Sequence, residues 1–189
     1  MDRMGERVPP QNNEAEQSVL GSILLQPQAL ISAMEYIQAS DFYRRSHQLI
    51  FQAMVDLNER NEEIDVITVA NILEKTSQLE DVGGTPYLAE LANIVPTAAN
   101  IEYYAKIVEE RSLLRRLIQA STEIISNTYE ESDEVSSLLD QAEQRILEVS
   151  ERKNRSGFVK ISDVLRTSME EIDTLYKNAE EITGLSTGY

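Results

Sequence analysis

From residue 13 onward, apolar residues recur three and four positions apart, the spacing of helices that bury one face. Ala15, Val19, Leu20, Ile23 and Leu24 form the first stripe. Asn12 or Asn13 is placed to cap it, and Glu14 and Glu16 suit its first turn. After Pro27, Leu30, Ile31, Met34 and Ile37 begin a second stripe. Ser40 and Asp41 stand as caps for a third helix, with His47, Ile50, Phe51, Met54 and Leu57 on its inner face. Asp65 caps a fourth, through Val66, Val69, Ile72 and Leu73. Gly83-Gly84 reads as a turn, Thr85-Pro86 as a cap followed by a first-position proline, and Pro96 as the end of YLAELANI. Residues 13–96 therefore predict a compact cluster of short helices behind a flexible polar arm, 1–12.

The pattern then lengthens. Ile101, Tyr104, Ile107, Val108, Leu114, Leu117, Ile118, Ile124 and Ile125 predict one helix from Thr97 to Asn127. EESD (130–133) breaks it. A second helix from Asp133 to Arg152 turns Val135, Leu138, Leu139, Ala142, Ile146 and Val149 inward, so 97–152 is an antiparallel hairpin. Two such helices cover only one face on each other. The remaining apolar positions predict self-association, with Ile107, Leu114, Leu117, Leu138, Leu139 and Ile146 as its residues; packing back onto the N-terminal cluster is the alternative. A linker occupies 153–160, then a helix 161–181. Its stripe, Leu165, Met169, Ile172 and Tyr176, predicts docking on another part of the chain or on a second one. The stretch ITGLSTGY (182–189) reads as a junction to a further domain. The fold class is all-α.

Composition narrows the chemistry. No cysteine is present, which removes disulfides and thiolate metal sites and suits a reducing cytoplasm. The N-terminal segment has no apolar core of a signal peptide, and no apolar run reaches the ~20 residues of a membrane span. A net charge of −16 argues against wrapping DNA and is compatible with simple solubility or with a basic protein partner. The single histidine, His47, lies near an apolar face and reads as a hydrogen-bonded core residue. Gly83-Gly84-Thr85 lacks the rest of a phosphate-binding loop and reads as a helix cap. The carboxylates read as solvated helix faces. No catalytic, cofactor or metal site is expected. Composition and stripes alone are compatible with a stand-alone acidic helical adaptor for a basic partner. A carboxylate-based, metal-dependent hydrolase is a second alternative.

The blocks PPQNNEAEQSVLGSIL, DFYRRSHQLIFQAM, GGTPYLAELANIVPTAANIEYYAKIVEE and RRLIQ resemble, in order and spacing, the N-terminal region of bacterial replicative DNA helicases of the DnaB type. The resemblance runs from about Val8 to Tyr189. It implies a collar domain, the hairpin, a linker helix that docks on a neighbouring subunit's motor, and the first residues of a RecA-like motor domain. Such helicases are hexameric rings that encircle single-stranded DNA and unwind the fork 5′ to 3′. ATP and Mg2+ are bound in the motor, so this piece is expected to be inactive alone. Their collars assemble the ring through the hairpins, cooperate with a helicase loader and recruit the C-terminal domain of primase. The matching primase-docking positions are Glu14, Tyr87, Ile118 and Ile124. As a docking anchor Tyr87 would present its hydroxyl outward, with ordinary packing beneath the Gly-Gly turn as the alternative; for Ile118 and Ile124 the alternative is the hairpin interface itself.

Overall fold

A computed structural model of the protein describes residues 8–130, 134–153 and Met169. The chain divides into two compact units, 1–156 and 157–189. In the second, Met169 is helical and 71% exposed. Leu165, Ile172 and Tyr176, and the 182–189 stretch, lie outside the described residues.

The described part of the first unit is helical, without a strand. Helix α1 (Asn13–Leu25) is capped by Asn12, whose side-chain oxygen accepts the Ala15 N–H at 3.0 Å. Helix α2 (Ala29–Met34) is a six-residue piece that turns only one face inward. Leu30, Ala33 and Ile37 are buried, while Ile31 and Met34, expected in the same stripe, are exposed.

The third helix starts later than Ser40-Asp41 suggested. Residues Ala39–Asp41 form a single 3-10 turn. The chain is extended at Phe42 and Arg44, and α3 runs from Arg45 to Glu59. Asp41 does cap, but it caps that turn: its Oδ2 accepts the Gln38 N–H at 2.8 Å. Its other oxygen is engaged by a distant helix, so it cannot serve α3.

Helix α4 (Val66–Lys75) begins where the sequence places it. Asp65 Oδ1 accepts the Ile67 and Thr68 N–H groups at 2.8 Å each, and the Asp65 N–H returns a bond to Thr68 Oγ1, a reciprocal capping box. Helix α5 (Gly84–Ala92) starts two residues before the expected site, from Gly83 at φ +99. Pro86 is thereby its third residue, where a missing N–H loses nothing because the first four have no partner inside the helix. The helix ends at Asn93, whose side chain bonds the Ala89 carbonyl, rather than at Pro96.

Helix α1 is the spine of the cluster. Val19, Leu20 and Ile23 are fully buried, and α5 crosses α1 so closely at Gly21 that an added Cβ would collide with the Leu91 carbonyl oxygen. Helix α6 (Ile101–Glu130) has two roles. Ile101, Ala105 and Val108 complete the core of the cluster. Beyond Ala120 no described residue is buried, and α6 pairs with α7 (Val135–Lys153) as the hairpin.

Candidate functional site

Two polar clusters organise the head, the N-terminal helical cluster: one lies within it, and the other ties it to the hairpin helix α6. The first joins α1, α3 and α5. Glu16 is 2% exposed and His47 fully buried. Glu16 Oε1 accepts the Tyr43 N–H at 2.6 Å, and Glu16 Oε2 lies 2.7 Å from His47 Nδ1. A carboxylate only accepts, so the His47 proton sits on Nδ1. His47 Nε2 lies 2.7 Å from the Tyr87 hydroxyl, and Gln17 Nε2 donates to that hydroxyl at 3.2 Å. The rings of His47 and Tyr87 are parallel to within 4°. Tyr87 is half-buried with its hydroxyl inside, which reverses the orientation expected from sequence. Gly83, in a left-handed conformation at the start of α5, leaves room beside Tyr87: a Cβ there would lie 3.1 Å from the Tyr87 Cβ.

The second cluster ties α6 to the turn before α3. Asp41 Oδ1 accepts from Ser112 Oγ at 2.7 Å and from Arg116 Nη2 at 2.6 Å. Arg115 donates to the carbonyl oxygens of Pro10 and Asp41 and stacks over the Tyr43 ring, 5.7 Å from its centre. Burial holds the Arg115 pKa below its ordinary range, and the charges of Glu16 and Asp41 oppose that shift. Burial, then the charges of Asp41 and Glu110, raises the Glu109 carboxyl above its ordinary 4.5.

The carboxylates are thus not all solvated faces. Glu16 was legible in part, because it lies four residues before Leu20 and seven before Ile23, on the apolar side of α1. Asp41, in a turn, carried no periodic signal.

The hairpin offers the third feature. Ile124, Leu138 and Ala142 line the seam between α6 and α7, beside a cleft of about 310 Å³, and Arg145 lies 3.5 Å from Glu123 across it. Leu114, Leu117, Ile118 and Ile125 on α6 are exposed, and so are Val135, Leu139, Ile146 and Leu147 on α7. Val135, Leu139 and Ile146 were expected to point inward. The seam uses Leu138, Ala142 and Val149 instead, since two helices bury only one stripe each. Ile107 packs against the core of the head.

Of the expected docking residues, Glu14 is exposed in the first turn of α1, one turn before Gln17 and hence beside the Tyr87 contact. Ile118 is 53% exposed, and Ile124 sits half-buried in the seam. Among the described residues no group of His, Asp or Glu is arranged to hold a metal ion, and no helix is long and apolar enough to cross a membrane.

This helical head with its projecting hairpin matches a known design. The family described as the DnaB-like helicase N terminal domain matches residues 8–110, more than half of the chain. The chain belongs to that family. Among curated relatives, the replicative DNA helicase DnaC of Bacillus subtilis is 53% identical over 188 residues, covering 100% of this chain and 41% of that protein. The replicative DNA helicase DnaB of Geobacillus stearothermophilus is 50% identical, covering 97% of this chain and 40% of its own length. The chain therefore spans about two-fifths of the length of these two relatives. The crystal structure of the DnaB N-terminal domain from Mycobacterium tuberculosis superposes with a TM-score of 0.72 at 43% identity, over 75% of this chain and 99% of that one. A DnaB-like replicative helicase, whose structure is described together with its interactions with primase, superposes at 0.64 and 27% identity, over 86% of this chain and 36% of that one. The all-α reading and the DnaB-type resemblance are both borne out, and the free-standing adaptor is not favoured.

Proposed function

We propose that this DnaB-type N-terminal domain is the collar of a hexameric replicative helicase, with two tasks: assembling the ring and docking primase. The observation that carries assembly is the pair of outward stripes on the hairpin. Leu114, Ile118 and Ile125 are spaced by four and seven on α6, and Val135, Leu139 and Ile146 are spaced by four and seven on α7. Such faces on an elongated arm are covered by a second hairpin in a dimer, and dimers then build the ring. Ile107 packs on the core of the head, so its part in assembly is to anchor the base of α6. Leu138 supports the interface from the seam.

Docking of the primase C-terminal domain is assigned to the α1–α5 face, through Glu14 and Tyr87, and to Ile118 and Ile124 on the hairpin. The structure described with primase interactions, and the replicative helicases that match along nearly the whole chain, support this reading. Leu165, Met169, Ile172 and Tyr176 are assigned to docking of the linker helix on a neighbouring motor domain. In the whole protein, ATP and Mg2+ act in that motor, single-stranded DNA passes through the ring, a loader delivers it, and the site of action is the bacterial cytoplasm.

The test uses the 189-residue chain. Light scattering across a concentration series reads assembly, and calorimetric titration with the isolated C-terminal domain of a bacterial primase reads docking. A chain that stays monomeric at high concentration overturns the assembly claim, and absence of binding heat at several temperatures overturns the docking claim.

A further inference from the structure

The docking reading needs Tyr87 at the surface but makes no use of His47, which is fully buried yet has both ring nitrogens bonded. The carboxylate fixes the direction of the bonds at one end of this chain of groups. Glu16 takes the Tyr43 N–H on one oxygen and His47 Nδ1–H on the other. A neutral imidazole protonated at Nδ1 leaves Nε2 as an acceptor, so the Tyr87 hydroxyl donates inward, and Gln17 donates to the Tyr87 oxygen from the surface side. We infer that His47, its tautomer held by Glu16, is a positioning residue that pins the Tyr87 ring on the docking face.

The inference rests on the reading of Tyr87 as a primase contact. It adds a consequence for recognition. With the imidazole neutral, the Tyr87 proton is committed inside the domain, so the partner meets the ring as an apolar surface and receives no hydrogen bond from it. A ring that leaves its position does so only by breaking the part-buried bond to His47 and leaving Nε2 without its partner. Binding-competent geometry is therefore already present in the free protein, and the apparent affinity is not reduced by a small competent fraction.

The test exploits the fact that His47 is the chain's single histidine, so 15N-histidine labelling yields one pair of ring signals. The wild-type chain should show a protonated Nδ1 and an unprotonated Nε2 shifted by a bound hydroxyl. Tyr87→Phe removes only the hydroxyl. It should move the Nε2 signal toward that of an unbonded acceptor and weaken binding of the isolated primase C-terminal domain by roughly three- to tenfold, through loss of the pinned population. Tyr87→Ala should weaken it further. A wild-type imidazole protonated at Nε2 overturns the inference. So does a Tyr87→Phe chain with an unchanged Nε2 signal, or one with a changed signal and wild-type affinity, which reduces the bond to core structure alone. If Tyr87→Ala binds as wild type, the docking reading fails instead, and the Nε2 response to Tyr87→Phe still decides whether His47 holds the ring.

Discussion

Asp41 and Arg116 are 75 residues apart in sequence, and Asp41 Oδ1 lies 2.6 Å from Arg116 Nη2. The pair is one-quarter exposed on the arginine and about one-tenth exposed on the aspartate. It sits where α6 leaves the head, so it fixes the direction in which the hairpin projects. The same carboxylate serves Ser112 and the Gln38 N–H, which makes it a hub rather than a surface ion pair.

Asp41→Ala should therefore cost about 1.5–3 kcal/mol, the range for hydrogen bonds to a charged group with buried partners left unmade. Arg116→Ala should cost less, because Asp41 keeps its other two donors. Urea denaturation measures both, and hydrogen exchange should quicken at residues 38–44 and 112–116 in Asp41→Ala. Equal, negligible losses for the two variants would show that the hub does not hold the joint.

At Gly21, α1 lies against the backbone of α5. Gly21→Ala should destabilise by about 1–3 kcal/mol through overpacking, despite the better helix propensity of alanine. The obstacle is the Leu91 backbone carbonyl, which has no rotamer to yield. An unchanged urea midpoint would mean that the two helices separate freely.

Glu109 gives a pH-dependent prediction. Its folded pKa is raised above 4.5, chiefly by burial and then by Asp41, so the folded state prefers the protonated form. The ionised group thus opposes folding above the folded pKa, and that penalty fades as pH falls through it toward 4.5. Glu109→Gln should raise the melting temperature at pH 7, and the gain should shrink by pH 4. A gain that is constant with pH would refute the assignment.

The hairpin distinguishes exposed from seam positions. Ile118→Asp with Leu139→Asp should leave helicity by circular dichroism unchanged and shift light scattering to smaller species. Ile124→Asp should lower the helix signal and the melting temperature, because it places a charge against Leu138 and Ala142. If the exposed pair unfolds the hairpin and the seam change does not, the two faces are reversed.

Sequence by itself determined the all-helical class, the Asp65 cap, the Asn12-Asn13 pair as the first cap, and the family. Asn12 and Asp65 cap through atoms within three residues of them, so local pattern suffices. Stripes such as Val19, Leu20 and Ile23 report burial because helical geometry repeats every turn. Only the tertiary structure decided the rest. Which stripe of α7 enters the seam depends on the rotation of α7 against α6, and that placed Leu138 inside and Leu139 outside. The role of Asp41 depends on Ser112 and Arg116, and the inward turn of the Tyr87 hydroxyl depends on His47 and Glu16. Those partners lie between 31 and 75 residues apart along the chain, and a hydrogen bond, unlike a hydrophobic period, leaves no mark on the residues in between.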